Sequence, residues 1–213
     1  MSQGGPYCAL VILTAGRSSR MGEPKALLRF GHHTALEIAI HNAVKAGVSR
    51  VVAVVGHRAE EIRAAHSFKG MGMSFDWAIN LEPESPMIAS LQTGLQALED
   101  LPLDGFFFQP VDYPLVLPQD YKLLMDALET RNENSRVIQP TCKGDHGHPV
   151  LCDISLKQEF LDLEPDETAR TVISRETITY VETANPGVLL DMDSPDEYRQ
   201  LKTIYSSRNE RAR

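Results

Sequence analysis

Hydrophobic positions in this chain come mostly as short unbroken runs, without strict alternation. Residues 7–13 (Tyr-Cys-Ala-Leu-Val-Ile-Leu), 51–55 and 105–109 place apolar side chains side by side, as expected of strands buried on both faces of a parallel sheet. Residues 74–79 predict a further strand, third in chain order. Between these runs the apolar period changes to that of a helix. Leu36, Ile40, Ala43 and Val44 follow a capping Thr34 and stop at Gly47, with the cap and the glycine as start and stop signals. Met87, Leu91, Leu95 and Leu98 mark a second such helix, and Leu123, Leu124 and Leu128 a third, which opens at Pro118, a residue suited to the first helical position. A short helix is expected over 59–65. Further on, 136–140 and 149–152 predict two strands around the turn 143–147. Helices are expected near 156–163 and 168–174, a late strand over 178–182, and a closing helix over 196–205 with a frayed tail at 206–213.

Strands alternating with helices predict βαβ units, and so an α/β fold with a mostly parallel sheet. No repeat, low-complexity tract or linker interrupts the pattern, so residues 1–213 read as one domain with its core over about 7–205. In such sheets ligands bind beyond the carboxyl ends of the strands. The loop after the first strand and Asp112 after the fourth both lie at such ends, and they are expected to share a cleft.

Composition narrows the choice of partners. The chain has 213 residues, 42% hydrophobic and 23% charged, with 21 basic against 29 acidic side chains and a net charge of −8. A long-range acidic field disfavours nucleic acid and anionic membrane surfaces. It leaves room for one small anionic ligand in a locally basic loop. The early apolar run 8–15 is too short to span a bilayer and has no basic residue before it, so neither a membrane span nor a signal peptide is expected. Three cysteines, Cys8, Cys142 and Cys152, suit a reducing cytoplasm better than a secreted disulfide framework.

The first candidate site is Thr14-Ala-Gly-Arg-Ser-Ser-Arg-Met-Gly22 with Lys25 beyond it. A small-residue loop after a buried strand can aim backbone N–H groups of Thr14, Ala15, Gly16, Arg17 and Ser18 at phosphate oxygens. Arg20 and Lys25 would add positive charge there. Neither the Walker A spacing nor G-x-G-x-x-G is present. Ser90, early in its helix, could donate to a base or ribose, with Gly94 allowing close approach. Arg170 is a cation in the first turn of its helix, where the dipole disfavours it; an anionic ligand or a salt bridge to Asp166 would explain its placement. Cys142, His146, His148 and Cys152 follow a spacing that matches no usual zinc finger. They read as two buried thiols and a hairpin tip, where His148 could touch substrate.

The loop L-x-A-G-x-S-x-R-M-G-x-x-K resembles the signature of the nucleotidyltransferases with a GT-A-like variant of the Rossmann fold, and most of all their molybdenum-cofactor branch and its cytidylyltransferases. Met87-Ile-Ala-Ser-Leu-Gln-Thr-Gly-Leu95, Asp112-Tyr-Pro114, Gly147-His-Pro149, Asp166-Glu-Thr-Ala-Arg170 and Asp191-Met-Asp-Ser-Pro-Asp196 follow in the family's order. The likeness runs from about Leu10 to Leu201. Two positions depart from it: Pro86 stands where glycine is usual, and Ser194 where threonine is usual.

The resemblance implies a Rossmann-like three-layer nucleotidyltransferase that moves CMP from CTP to a molybdopterin-type molybdenum cofactor. It makes Asp112 and Asp193 the ligands of Mg²⁺, or Mn²⁺, with Asp191 the alternate second ligand. Asp193 also reads as the N-cap of the closing helix, a role Ser194 could take instead. Arg20, Lys25 and Asp112 would carry catalysis. A GTP-using or sugar- or polyol-phosphate enzyme of the same chemistry, or a non-catalytic nucleotide-binding chaperone of a molybdoenzyme, are the competing readings.

Overall fold

The computed structural model describes residues 5–16, 18, 20–82, 85–99, 101–132 and 134–211. The first strand, β1 (Cys8–Leu13), lies wholly inside. A short hairpin of β2 (Arg29–Phe30) and β3 (His33–Thr34) precedes α1 (Ala35–Lys45). Then come β4 (Arg50–Val55), α2 (Ala59–Ala65), β5 (Ser74–Ile79), α3 (Met87–Gln96), β6 (Gly105–Pro110) and α4 (Pro118–Thr130). The second half holds β7 (Ser135–Cys142), β8 (Asp145–His146), β9 (Val150–Asp153), α5 (Lys157–Leu161), α6 (Ala169–Ile173), β10 (Thr177–Glu182) and α7 (Pro195–Arg211).

Among the described residues the main sheet runs in the order β10-β7-β9-β6-β1-β4-β5, with β8 on β7. Parallel pairs join β1 to β4, β1 to β6, β4 to β5 and β10 to β7, while β9 runs antiparallel between β6 and β7. Side chains along β1 alternate between two cores. Cys8, Leu10 and Ile12 pack with α1 and α4, and Ala9, Val11 and Leu13 with α3 and α5. Burial on both faces is why the run shows no polar alternation.

The chain builds outward from β1 to β4 and β5, then returns to place β6 on the other side of β1. That reversal makes a switch point between β1 and β6, where the loops leaving the two strands part and open a crevice. Among the described residues no helix is long and apolar enough to cross a membrane.

Local chemistry fixes the elements as expected. Thr34 Oγ1 accepts from Glu37 N at 3.1 Å, and Glu37 Oε2 accepts from Thr34 N at 2.7 Å. This is a reciprocal capping box that starts α1. Lys143 (φ 55°) and Gly144 (φ 88°) form the two-residue β7–β8 turn, whose twist favours positive φ at both positions. One expectation fails: the closing helix does not fray at Tyr205 but continues to Arg211. Arg208, on the added turns, donates to Leu115 O and Asn185 Oδ1, so buried acceptors hold the helix beyond its apolar stripe.

Gly94 also has a different role from the one expected. A Cβ there would come within 2.3 Å of Val11 Cγ1 and 2.8 Å of Val54 Cγ2. The approach it permits is that of α3 to β1 and β4, not of a ligand. Gly94→Ala should therefore destabilise the protein by about 1–3 kcal/mol through overpacking, although alanine is the better helix former by about 1 kcal/mol. In a Val11→Ala background the added methyl fills the space left behind, and the loss should shrink or vanish. Urea unfolding of the four proteins checks this, and a Gly94→Ala variant at least as stable as the parent would contradict it.

Candidate active site

The switch point holds a cleft of about 420 Å³ lined by Thr14, Ala15, Gly16, Ser18, Arg20, Lys25, Met87, Ser90, Asp112 and Asp193, among others. The loop from β1 thus faces the loop from β6, as the sequence predicts. Arg17 lies outside the described residues.

The loop after β1 is tied at both ends. Thr14 N and Oγ1 both donate to Val54 O, at 2.9 and 2.7 Å. Both Thr14 protons therefore serve the exit of β1, and the backbone N–H expected to meet phosphate is already taken. Ser18 (φ 49°) accepts from Lys25 N at its Oγ, 3.1 Å. Pro24 then begins the 3-10 turn Lys25–Leu27, anchored by the buried Ala26. These constraints aim the Lys25 side chain back into the cleft.

Lys25 Nζ bridges two carboxylates, donating to Asp112 Oδ2 at 2.7 Å and to Asp193 Oδ1 at 2.5 Å. Burial alone would lower the lysine pKa, but Asp112 and Asp193 more than offset it and hold the ammonium above its usual range. The contact with Asp112 is the stronger partner, since both side chains are about five-sixths buried (15% and 17% exposed) while Asp193 is 51% exposed and better screened. Arg20 Nη1 stands 4.0 Å from Asp193 Oδ2. Hydrogen bonding and charge from Lys25 push Asp193 below the usual carboxylate range. Burial, then Asp193 and Asp112, raises Asp191.

Asp193 is free to reach Lys25 because Ser194 takes the cap. Ser194 Oγ accepts from Glu197 N at 3.3 Å, and Glu197 Oε2 accepts from Asp193 N and Ser194 N at 2.9 and 2.7 Å. Asp112 is held by residues that the sequence reading passed over. Val111 N donates to Leu13 O at 3.1 Å. The buried Gln109 donates to Tyr113 O at 3.3 Å and accepts from Tyr121 Oη at 2.5 Å. Its position at a strand end, polar within an aromatic run, was the available signal.

The carboxylate pair suits a divalent cation. Asp112 Oδ1 is buried and has no hydrogen-bond partner, an orphaned anionic oxygen that a cation would satisfy. Among the described residues no three His, Cys, Asp or Glu side chains are grouped as a ready-made metal cage. Two carboxylates completed by water and phosphate are what Mg²⁺ commonly uses. The Cys142/Cys152 and His146/His148 set is divided instead. Both thiols are buried, His146 lies 4.4 Å from the Tyr180 ring, and His148 lies 4.5 Å from the Tyr113 ring.

Ser90 lines the cleft, 6% exposed, and accepts from Asn80 Nδ2 at 3.0 Å. Its own proton has no acceptor among the described residues and remains available to a ligand. Asn80, just past the carboxyl end of β5, also accepts from Glu82 N at 2.9 Å. Pro86 is the N-cap of α3. A second cleft of about 720 Å³ adjoins the first through Leu13 and Met87, and includes His148, Arg170, Tyr180 and Pro86. Arg170 is exposed on its wall and makes no ion pair with Asp166.

Burial pushes the His148 imidazole down to about 4, against the opposing pull of Asp112. A histidine near 6.5 when unfolded then takes its proton first in the unfolded chain as pH falls. Folding stability is lost between about pH 6.5 and 4, by up to about 3 kcal/mol. His148→Gln should remove that part of the acid sensitivity. Unfolding of both proteins at pH 7 and 4.5 measures it, and equal losses in parent and variant would contradict it.

Comparison with known proteins bears on the family and the fold. Residues 10–180 match the family model described as the MobA-like NTP transferase domain. The molybdenum cofactor cytidylyltransferase of Escherichia coli (strain K12) is 24% identical over 196 residues, 92% of this chain and 96% of that protein. The crystal structure of Rv0371c from Mycobacterium tuberculosis H37Rv matches with a TM-score of 0.76 at 25% identity, covering 92% of this chain and 98% of that one. The same protein in complex with manganese matches with a TM-score of 0.72 at 23% identity, over 92% and 98%. With the model spanning most of its length, the chain belongs to the MobA-like NTP transferase domain family and is a nucleotidyltransferase.

Proposed function

We propose that this enzyme transfers CMP from CTP to the phosphate of a molybdopterin-type acceptor and releases pyrophosphate, with Mg²⁺ or Mn²⁺ as the cation. The observation that carries the reading is the Lys25 bridge between Asp112 and Asp193 beneath the loop from β1, with one Asp112 oxygen buried and unpartnered. The cytidylyltransferase named above supports the base and the acceptor, and the manganese complex of Rv0371c supports a divalent cation. On this reading residues 1–213 form one domain that works in the cytoplasm and hands its product on to a molybdoenzyme.

In the proposed reaction an oxygen of the acceptor phosphate attacks the α-phosphorus of CTP. The bond from that phosphorus to the bridging oxygen breaks, and pyrophosphate leaves with the electron pair. A phosphate monoester with its second pKa near about 6 is already ionised at pH 7, so no protein base is needed. Catalysis is then positioning and charge compensation. Backbone N–H groups of the Ala15–Gly16 turn, with Arg20 and Lys25, hold the triphosphate, and Ser90 gives its proton to the base or ribose. The second cleft, with His148 and Arg170 on its wall, takes the acceptor. Asp112 and Asp193 would hold the divalent cation, which when bound would offset charge developing on the α-phosphate and the departing pyrophosphate.

Thermal shifts with the four NTPs and Mg²⁺ test the base. CTP at a hundred times its Kd should add about 2.7 kcal/mol of stability, with smaller effects from the others; a larger effect of GTP would contradict the assignment. Lys25→Ala and Arg20→Ala should each lower kcat/KM for pyrophosphate release by at least ~10²-fold, the order of one lost charged donor. Turnover like the parent's in either variant would remove that residue from the triphosphate site.

A further inference from the structure

A buried polar network joins the two segments that carry the cleft carboxylates. Asp120, 2% exposed near the start of α4, accepts from Leu117 N at 2.8 Å, Thr183 Oγ1 at 2.6 Å and Asn185 Nδ2 at 2.6 Å. Asn185 Nδ2 also donates to Leu115 O at 3.0 Å, and Asn185 Oδ1 accepts from Gly187 N at 2.9 Å. Arg208 reaches in from α7, donating to Asn185 Oδ1 at 2.9 Å and to Leu115 O at 3.2 Å. Burial lowers the pKa of Arg208, against the pull of Asp120.

Leu115 lies three residues after Asp112, and Asn185 eight residues before Asp193. Between Asn185 and Asp193 the chain is closely held. A Cβ on Gly187 would meet Leu115 O at 2.3 Å, Val188 O accepts from His148 N at 2.9 Å, and Met192 is fully buried. The network therefore ties the segment after Asp112 to the segment before Asp193. Arg208 is its closing member and comes from α7, fifteen residues beyond Asp193.

We infer that Asp120, Asn185 and Arg208 form a latch that sets the spacing of Asp112 and Asp193, making Arg208 a positioning residue for the cation site. The inference rests on the cation reading given above. None of the three lines the cleft; they act through Leu115 and the 185–193 segment. Outer partners that orient metal-binding groups commonly change metal affinity by about 10- to 100-fold when removed.

The test compares the parent with Arg208→Met, Arg208→Lys and Phe160→Leu. The last is a core change on α5 chosen to match the stability loss of Arg208→Met. Two readouts are needed: Mn²⁺ binding by titration without substrate, and amide hydrogen exchange. Arg208→Met should weaken Mn²⁺ binding about tenfold or more and speed exchange over 111–115 and 189–194. Arg208→Lys should recover part of both, since an ammonium can serve only part of a forked donor's contacts. Phe160→Leu should leave both near the parent's. Mn²⁺ binding unchanged in Arg208→Met, or faster exchange confined to 195–211, would overturn the latch. A parent protein that binds no Mn²⁺ would overturn the cation reading, while the exchange pattern would still decide whether the latch holds the two segments.

Discussion

Like-charged carboxylates from distant parts of a chain repel one another in a cleft unless a shared proton or an intervening cation offsets their charge. Here Lys25 does so, with its ammonium within 2.7 Å of Asp112 and 2.5 Å of Asp193. The bridge joins three segments that follow β1, follow β6 and precede α7, and each is built to deliver its side chain to that point. Thr14 and Ser18 fix the loop that carries Lys25. Gln109 pins the turn that carries Asp112, and Ser194 takes the cap that would otherwise occupy Asp193. The remaining oxygen of Asp112 is buried and unpartnered, so the bridge to Lys25 does not satisfy the carboxylate completely.

The sheet supplies the crevice and the helices supply its rigidity. Reversal of strand order at β1 parts the two loops, as open α/β sheets generally do where they bind ligands. Gly94 lets α3 lie against β1 and β4 closely enough to bring Ser90 to the cleft wall. The second cleft joins the first at Leu13 and Met87, and on the proposed reading the two take the two substrates. Phosphoryl chemistry asks little covalent work of a protein, and the described residues of the site supply donors and charges.

Most of the fold was legible because its signals are local. Continuous apolar runs, the Thr34 cap and Pro118 fix their elements without reference to the rest of the chain. That the loop after β1 and Asp112 share a cleft was legible from their places at strand ends, whereas Asp193 joined them only through the family resemblance. What escaped depended on contacts distant in sequence. Gly94 looked like room for a ligand because nothing local shows Val11 and Val54 pressed against it. Thr14 looked like a donor because nothing local shows the Val54 carbonyl taking its backbone proton. The last turns of α7 looked frayed because their anchors, Leu115 and Asn185, lie far back in the chain.

On the proposed reading Asp112 and Asp193 act as one cation-binding unit. Pyrophosphate release by Asp112→Asn, Asp193→Asn and the double variant at saturating Mg²⁺ tests it most directly. Each single variant should lose nearly as much turnover as the double, because groups acting as a unit are not additive. Melting temperatures should stay close to the parent's, since asparagine keeps the shape of the side chain. A stable Asp193→Asn enzyme with turnover like the parent's, or single losses that simply add in the double variant, would contradict the account.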